Sequence, residues 1–240
     1  MNKTEYLQHI KNVIITKGYY TAYVMAEQQP SFAYTIGLTS KNGFELAFCG
    51  GANYNLNDFT TIIDGIVFKI TRNDIIFDKY FEIEGYGKFK LHITDESWNK
   101  KILLGVYDLF NLDSIIAYQI IPEEKNKLLD VPNMSLKWDD KNPIWRWLED
   151  EWTYPIPLDS IIITNIKALR GESITEITRW GINEWEMFAG AGPDVKQEEI
   201  RIVPFGTLLG IDNRIEPAIN LEVEKGLWRE DGDSEWNEWG

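Results

Sequence analysis

The sequence has very few of the residues that build metal and disulfide sites. Cysteine occurs once, at Cys49, and histidine twice, at His9 and His92. One cysteine cannot form an internal disulfide, and two distant imidazoles do not match the ligand spacing of a zinc site. We therefore expect no disulfide, no metal ion and no other cofactor.

Basic residues and long hydrophobic runs are also scarce. The chain has 24 Lys+Arg against 38 Asp+Glu, a net charge of −14, whereas binding a phosphate backbone needs a cationic surface. Apolar runs such as residues 160–166 are far too short to span a bilayer, and the charges at Lys3, Glu5 and Lys11 do not fit a secretory signal. We expect no nucleic acid or membrane partner and a cytoplasmic location.

The length and the charge distribution favour two domains, with one large domain as the alternative. Residues 1–137 carry a net charge of −2, whereas residues 138–240 carry −12 and nine of the ten tryptophans. Four prolines punctuate the Trp-rich stretch over residues 123–157. We predict an N-terminal domain over 1–137, a connector over 138–157, a second domain over 158–230 and an acidic, mobile tail over 231–240.

Hydrophobic periodicity predicts an α+β fold in both domains. In the first domain, spacings of three and four indicate helices, and short β-branched or aromatic runs indicate strands. The predicted helices span 4–15, 57–70 and 95–110, and the predicted strands span 19–27, 32–38, 44–49, 81–93 (a hairpin) and 114–121. Together they predict a mixed sheet with helices.

The second domain is predicted to be smaller, β-rich and antiparallel. Its signals are short apolar runs separated by glycine turns, with one short helix. The predicted strands span 160–168, 174–180, 185–188, 200–205 and, for the closing strand, 219–223 with 226–229; residues 206–211 are predicted to form a short helix or a turn.

A motif in the first domain resembles an uncharacterised bacterial family. Its signature Pro-x-Phe-x-Tyr-Thr-x-Gly-Leu matches residues 30–38, its Glu-Leu strand matches Glu45-Leu46 with Gly50, and its Gln-hydrophobic-hydrophobic-Pro segment matches residues 119–122. The resemblance covers about residues 15–135. Family members commonly have His-Pro before the Glu-Leu pair, where this chain has Gly43-Phe44. The family has no established activity, so the resemblance implies a shared fold.

A second set of motifs resembles a small domain family of bacterial immunity proteins. The hallmark Trp-x-x-Phe-x-Gly corresponds to residues 185–190, and it is followed by a short helix, by Asp212 and by the closing strand Gly226-Leu227-Trp228-Arg229. The resemblance covers about residues 158–230. It implies that the chain binds and neutralises a toxin of a polymorphic toxin system.

Composition agrees with this expectation, because toxins that attack nucleic acid are basic and an acidic antidote associates with them quickly. We expect a cognate, basic toxin protein as the partner. Interfaces are enriched in aromatic residues, so the candidate partner-binding residues are aromatic or acidic. They are Trp180, Trp185, Glu186, Asp194, Asp231, Asp233, Glu235 and Trp236.

The sequence contains no nucleophile elbow, no Walker loop, no dinucleotide-binding glycine motif and no HExxH, which favours a binding protein over an enzyme. The alternative is a small-molecule site or enzyme in the N-terminal half, with Tyr34, Glu45, Cys49 and His92 around a pocket at the Gly37 bend. An adaptor or phage-defence component is a third possibility.

Overall fold

The computed structural model describes residues 3–239. Met1, Asn2 and Gly240, which the predicted N-terminal domain and acidic tail include, lie outside the described residues. The described chain forms two six-stranded sheets with helices packed on them. The predicted α+β class with two domains is confirmed.

The first sheet is built from the N-terminal half of the chain. Its strand order is β1-β2-β3-β6-β5-β4, in which β3 and β6 are parallel and the other neighbours are antiparallel. The elements are α1 Lys3–Lys17, β1 Tyr20–Val24, β2 Phe32–Ile36, α2 Thr39–Asn42, β3 Glu45–Cys49, α3 Leu56–Thr71, β4 Phe81–Ile83, β5 Gly87–Ile93, α4 Glu96–Ile102, α5 Leu104–Phe110 and β6 Ala117–Pro122.

Helices cover both faces of this first sheet. Leu46 and Phe48 of β3 pack with α3, whereas Ala47 and Cys49 point to the opposite face, which α1, α4 and α5 cover. All residues of β2 and β3 are buried as a result. A strand that is buried on both faces shows a continuous apolar run rather than alternation, which is the pattern of residues 44–49.

The helix predicted over 95–110 is two helices, α4 and α5, that meet at Leu103. The chain approaches the sheet closely here, since the Gly105 N–H donates to Tyr34 Oη at 3.1 Å. A Cβ at Gly105 would lie 2.8 Å from Tyr34 Oη and from Ile36 Cδ1. The break therefore brings the backbone against the buried strand β2.

The second sheet has the strand order β10-β7-β9-β8-β11-β12. Its elements are β7 Ile161–Asn165, α6 Ile166–Leu169, β8 Glu176–Arg179, β9 Glu184–Phe188, β10 Ile200–Pro204, α7 Phe205–Ile211, a 3-10 segment Asn213–Asn220, β11 Gly226–Trp228 and β12 Asn237–Trp239. The predicted purely antiparallel arrangement needs one correction, because β7 and β9 are parallel. β8 and β9 form an antiparallel hairpin, and β9 lies between β8 and β7 in the sheet. In this position β9 runs in the same direction as β7.

The last residues of the chain are not the mobile tail that the acidic composition predicts. Asn237–Trp239 form β12, which pairs with β11. The indole N–H of Trp236 donates to the Arg214 carbonyl oxygen at 3.0 Å, and the guanidinium of Arg229 lies 4.2 Å from the centre of the Trp236 ring. Side-chain packing therefore overrides the repulsion between the acidic residues of this segment.

The Trp-rich segment between the sheets packs against both of them. Trp145 is buried in the first core and donates its indole N–H to the Asp130 carbonyl oxygen at 3.0 Å. Trp152 and Tyr154 pack against the core of the second sheet, and Trp147 donates to the Gly206 carbonyl oxygen at 3.2 Å. The prolines of this segment accordingly do not mark a solvated linker.

Asp212 is the centre of a buried charged network beneath the second sheet. Its carboxylate accepts from Arg214 Nε at 2.7 Å and from the Ile174 N–H at 3.3 Å, and it lies 3.5 Å from Arg229 Nη2. Burial alone would raise the pKa of Asp212, but these hydrogen bonds outweigh burial and lower it. Both arginines also donate to the Gly232 carbonyl oxygen, so the network holds the acidic C-terminal segment in place.

We predict that Asp212→Ala lowers the free energy of unfolding by about 3 kcal/mol near pH 7, because it leaves a buried guanidinium without its carboxylate. Urea denaturation of this variant and of the exposed control Asp194→Ala measures the loss. The control should change by less than about 0.5 kcal/mol. Because the pKa of Asp212 is lowered, the difference from wild type should shrink as pH falls below about 4. Equal losses in the two variants would contradict the structural role of the network.

Candidate functional site

The second sheet has helices on only one of its faces. On this inner face, Ile162, Ile177 and Trp185 pack with the residues of α6, α7 and the 3-10 segment. On the opposite face several side chains are exposed, whereas Phe188 and Thr178 are buried. We call this opposite face the outer face. Its exposed residues are Ile161, Trp180, Ile202, Trp228, Trp239 and Glu184, and Glu176 and Glu186 on the same face are partly buried.

The strand register places these residues side by side. Ile163 of β7 lies between Ile202 of β10 and Glu186 of β9. The same row continues from Glu186 through Thr178 and Gly226 to Trp239 on the last strand. Neighbouring strands are about 4.8 Å apart, so the row is about 24 Å long. The register therefore places these residues on the same face of the sheet, with the buried Thr178 within the row.

Position 226 needs a glycine because the ring of Trp239 lies directly over it on the outer face. The indole ring of Trp239 covers Gly226, and a Cβ at that position would collide with the ring. Trp239 remains 41% exposed, Trp228 42% and Trp180 53%. Large aromatic side chains held on a rigid sheet lose little conformational entropy when a partner covers them.

The charge of the outer face is negative. Burial and the neighbouring charge of Glu176 raise the pKa of Glu186, and a hydrogen bond from Trp180 acts in the opposite direction. No lysine or arginine belongs to the outward-facing positions of the six strands that the structure describes.

Arginines of this domain are instead directed to the inner side or to backbone carbonyls. Arg179 lies 4.5 Å from the centre of the Trp185 ring and donates to the Leu221 carbonyl oxygen, and Arg201 donates to Asn53 Oδ1 at 2.9 Å. Arg214 and Arg229 are held at Asp212. These cations do not neutralise the outer face, because each is engaged elsewhere.

The predicted partner-binding residues occupy three different places. Trp180 and Glu186 lie on the outer face. Asp194, Asp231, Asp233 and Glu235 are exposed, but in turns outside the six strands. Trp185 is fully buried, with its indole N–H donating to the Ala218 carbonyl oxygen at 3.3 Å, and Trp236 is half-buried against the same core. The inclusion of Trp185 is therefore corrected, because a partner cannot reach its side chain.

Trp228, Trp239 and Glu184 are outer-face residues that sequence reasoning did not select. A signal for Glu184 was present, since Glu184 and Glu186 alternate with Trp185 and Met187 in one strand. Period-two alternation assigns the tryptophan to the core and both glutamates to solvent. Trp239 lies in the acidic segment over residues 231–240, whose composition predicted a mobile tail and not strand β12.

The residues proposed for an N-terminal pocket do not surround a cavity. Tyr34 and Cys49 lie in the core, and burial raises the pKa of the Cys49 thiol. A Cβ at Gly37 would lie 3.1 Å from Ile14, whose side chain fills the space at the bend. His92 is partly exposed elsewhere and pairs with Asp78.

Glu45 has a structural role at this bend. Its buried carboxylate accepts from the Gly37 and Thr39 N–H groups, both at 2.9 Å, and from Thr35 Oγ1 at 2.6 Å. Burial raises the pKa of Glu45 although these bonds act to lower it. The carboxylate thus closes the turn between β2 and β3.

Open space is found where the two sheets meet. One groove of about 540 Å³ is lined by Glu27, Leu158, Asp159, Ile161 and Ile202, among others. A second groove, of about 450 Å³, shares Glu27 and Leu158 with the first and extends to Trp147, Trp152 and Glu151. Because Ile161 and Ile202 also belong to the outer face, the grooves and the face are continuous.

Residues 3–239 hold neither a group of three or more His, Cys, Asp and Glu side chains that could hold a metal ion nor a helix long and apolar enough to cross a membrane. No family model, no curated protein and no solved structure matches the chain. Function is therefore inferred from the chain's own residues.

A buried carboxylate also lies between the sheets. Asp130 is 1% exposed and accepts from the Ala52 N–H at 2.8 Å, beside a cavity of about 40 Å³. Burial raises its pKa to about 6. The protonated form is therefore favoured in the fold, and its stabilising contribution is complete below pH 4 and is lost as pH rises through 6.

We predict that Asp130→Asn is more stable than wild type above pH 6, by up to about 3 kcal/mol, because it removes the cost of a buried negative charge. The gain should disappear at pH 4, where Asp130 of the wild type is protonated. Denaturant titrations at both pH values measure the difference, with the exposed substitution Asp113→Asn as the control. A loss of stability in Asp130→Asn at pH 7.5 would contradict the prediction.

Proposed function

We propose that this chain is an immunity protein that binds and neutralises a cognate, basic toxin in the cytoplasm through the outer face of its second sheet. The observation that carries the proposal is the composition of that face, which holds Trp180, Trp228 and Trp239 together with three glutamates and no cation. The resemblance of residues 158–230 to an immunity-protein family supports the same function.

The aromatic residues supply the affinity in this proposal. Tryptophans are the most frequent hot-spot residues of protein interfaces, and they contribute most when the partner excludes water around them. The outer face presents them on paired strands, so little ordering is needed upon binding. A standard interface covers about 800 Å² of each partner.

The glutamates determine which partner binds and how fast it associates. A toxin that attacks nucleic acid has a cationic surface for the phosphate backbone. An acidic face attracts this surface during diffusion and competes with phosphate for it. Association should therefore weaken as salt is added.

We predict that Glu184→Lys/Glu186→Lys abolishes growth rescue when the chain is co-expressed with the product of the adjacent gene, and that Trp180→Ala weakens the purified complex at least tenfold. Rescue by the wild type and co-purification of the two proteins are the first results expected. Surface plasmon resonance at several salt concentrations then gives the affinities of the variants.

The matched control is Glu172→Lys/Glu216→Lys, which makes the same charge change at two exposed acidic residues outside the outer face. It should retain rescue and lose less than threefold in affinity. Reversal of Asp233 and Glu235 should also have a small effect, because they lie outside the outer face. If all variants bind like wild type, the outer face is not the interface, and absence of toxicity together with absence of a complex would refute the immunity function itself.

A further inference from the structure

We propose that the two continuous grooves between the sheets bind an extended segment of the toxin that carries lysine or arginine side chains. This inference rests on the proposed function for the identity of the partner, but it assigns a second binding site with its own residues. We call the two spaces together the inter-sheet groove. Its acidic residues are Glu27, Asp150, Glu151 and Asp159.

The groove is preformed by contacts between the two halves of the chain. The side-chain oxygen of buried Gln28 accepts from the Gly206 N–H at 2.6 Å, and its amide nitrogen donates to the Leu158 carbonyl oxygen. Trp147 donates its indole N–H to the Gly206 carbonyl oxygen at 3.2 Å, and Trp152 donates to the Ile156 carbonyl oxygen at 2.9 Å. Hydrogen bonds thus hold Gln28, Trp147 and Trp152 in place, so a ligand meets walls that are already formed.

The walls offer apolar and aromatic contacts for the stems of long side chains. Leu158 is 51% exposed and Ile202 62% exposed along the first part of the groove. The rings of Trp147 and Trp152 meet edge to face with their centres 5.0 Å apart in the second part. Lysine and arginine bury their aliphatic stems on such surfaces, and aromatic faces attract the cationic head.

The charges of the groove select a cationic occupant. Glu27 and Glu151 are exposed and form no ion pair among the residues that the structure describes. The cation at this site is Arg146, which lies 3.9 Å from Asp150 and stacks on Trp147 at 4.2 Å. Arg146 is thus used within the chain, and Asp159 accepts a hydrogen bond from Asn183 at 3.2 Å. Glu27 and Glu151 are the acidic residues of the groove that a cationic partner would meet.

Continuity with the outer face gives the direction of the bound segment. Ile161 and Ile202 line the groove and also stand on the outer face, so a toxin that covers the face has the groove at the edge of the same contact. A folded domain cannot enter a space of about 450 Å³, whereas an extended segment with alternating cationic and apolar side chains can.

The test uses the full chain and a seven-residue peptide in which arginine alternates with leucine, labelled with a fluorophore at one end. Fluorescence anisotropy should show saturable binding, and Glu27→Gln/Glu151→Gln should weaken it at least tenfold. The matched control Glu172→Gln, an exposed acid outside the groove, should change the affinity by less than twofold. In ¹⁵N spectra the indole signals of Trp147 and Trp152 should shift on binding.

Three results would overturn the inference. They are the absence of saturable binding, equal affinity of a peptide in which glutamate replaces arginine, and tighter binding of spermine than of the peptide, which would indicate a site for small polycations. The outcomes separate this inference from the proposed function. If the groove variants leave growth rescue and toxin affinity unchanged while outer-face variants abolish both, the groove has no role in toxin binding and the immunity function stands.

Discussion

The contact on which the arrangement of this protein depends is the buried side chain of Gln28. Its side-chain amide accepts from the Gly206 N–H and donates to the Leu158 carbonyl oxygen, and the backbone carbonyl oxygen of Gln28 accepts from Thr207 Oγ1 at 3.0 Å. A buried amide that loses its partners costs about 1–3 kcal/mol, so these three bonds hold the loop before β2 against the start of α7. Gly206 permits the approach, since a Cβ there would lie 2.8 Å from Gln28 Oε1. The inter-sheet groove exists because of this contact.

The two faces of the second sheet differ because helical segments pack on only one of them. The chain uses α7 and the 3-10 segment to cover the inner face, and α7 is also the element that the first domain touches through Gln28. The arginines of the domain also lie away from the outer face. Arg179 stacks on Trp185 of the inner face, and Arg214 and Arg229 form ion pairs with Asp212. Acidic residues therefore dominate the accessible surface, although residues 158–230 also contain eight basic residues.

The sequence was informative where one physical signal dominated. Long amphipathic periodicity predicted α3, and continuous apolar runs predicted the buried strands β2 and β3. Alternation in residues 184–187 would have separated Trp185 from its glutamate neighbours, but Trp185 and Glu186 were both predicted to bind the partner. Two features could not be predicted: the parallel pairing of β7 with β9, which depends on where a hairpin inserts, and the packing of Trp236 under Arg229, which depends on residues distant along the chain.

An uncovered sheet face with three tryptophans is a hazard for a protein without its partner, because apolar faces associate with each other. The glutamates change this balance. Two copies that stacked through their outer faces would bring Glu184 and Glu186 of one chain near those of the other, and burial already raises the pKa of Glu186 beside Glu176. Burial of more like charges without a cation is costly, whereas a basic partner supplies the missing cations. The same side chains therefore oppose self-association and favour the proposed toxin.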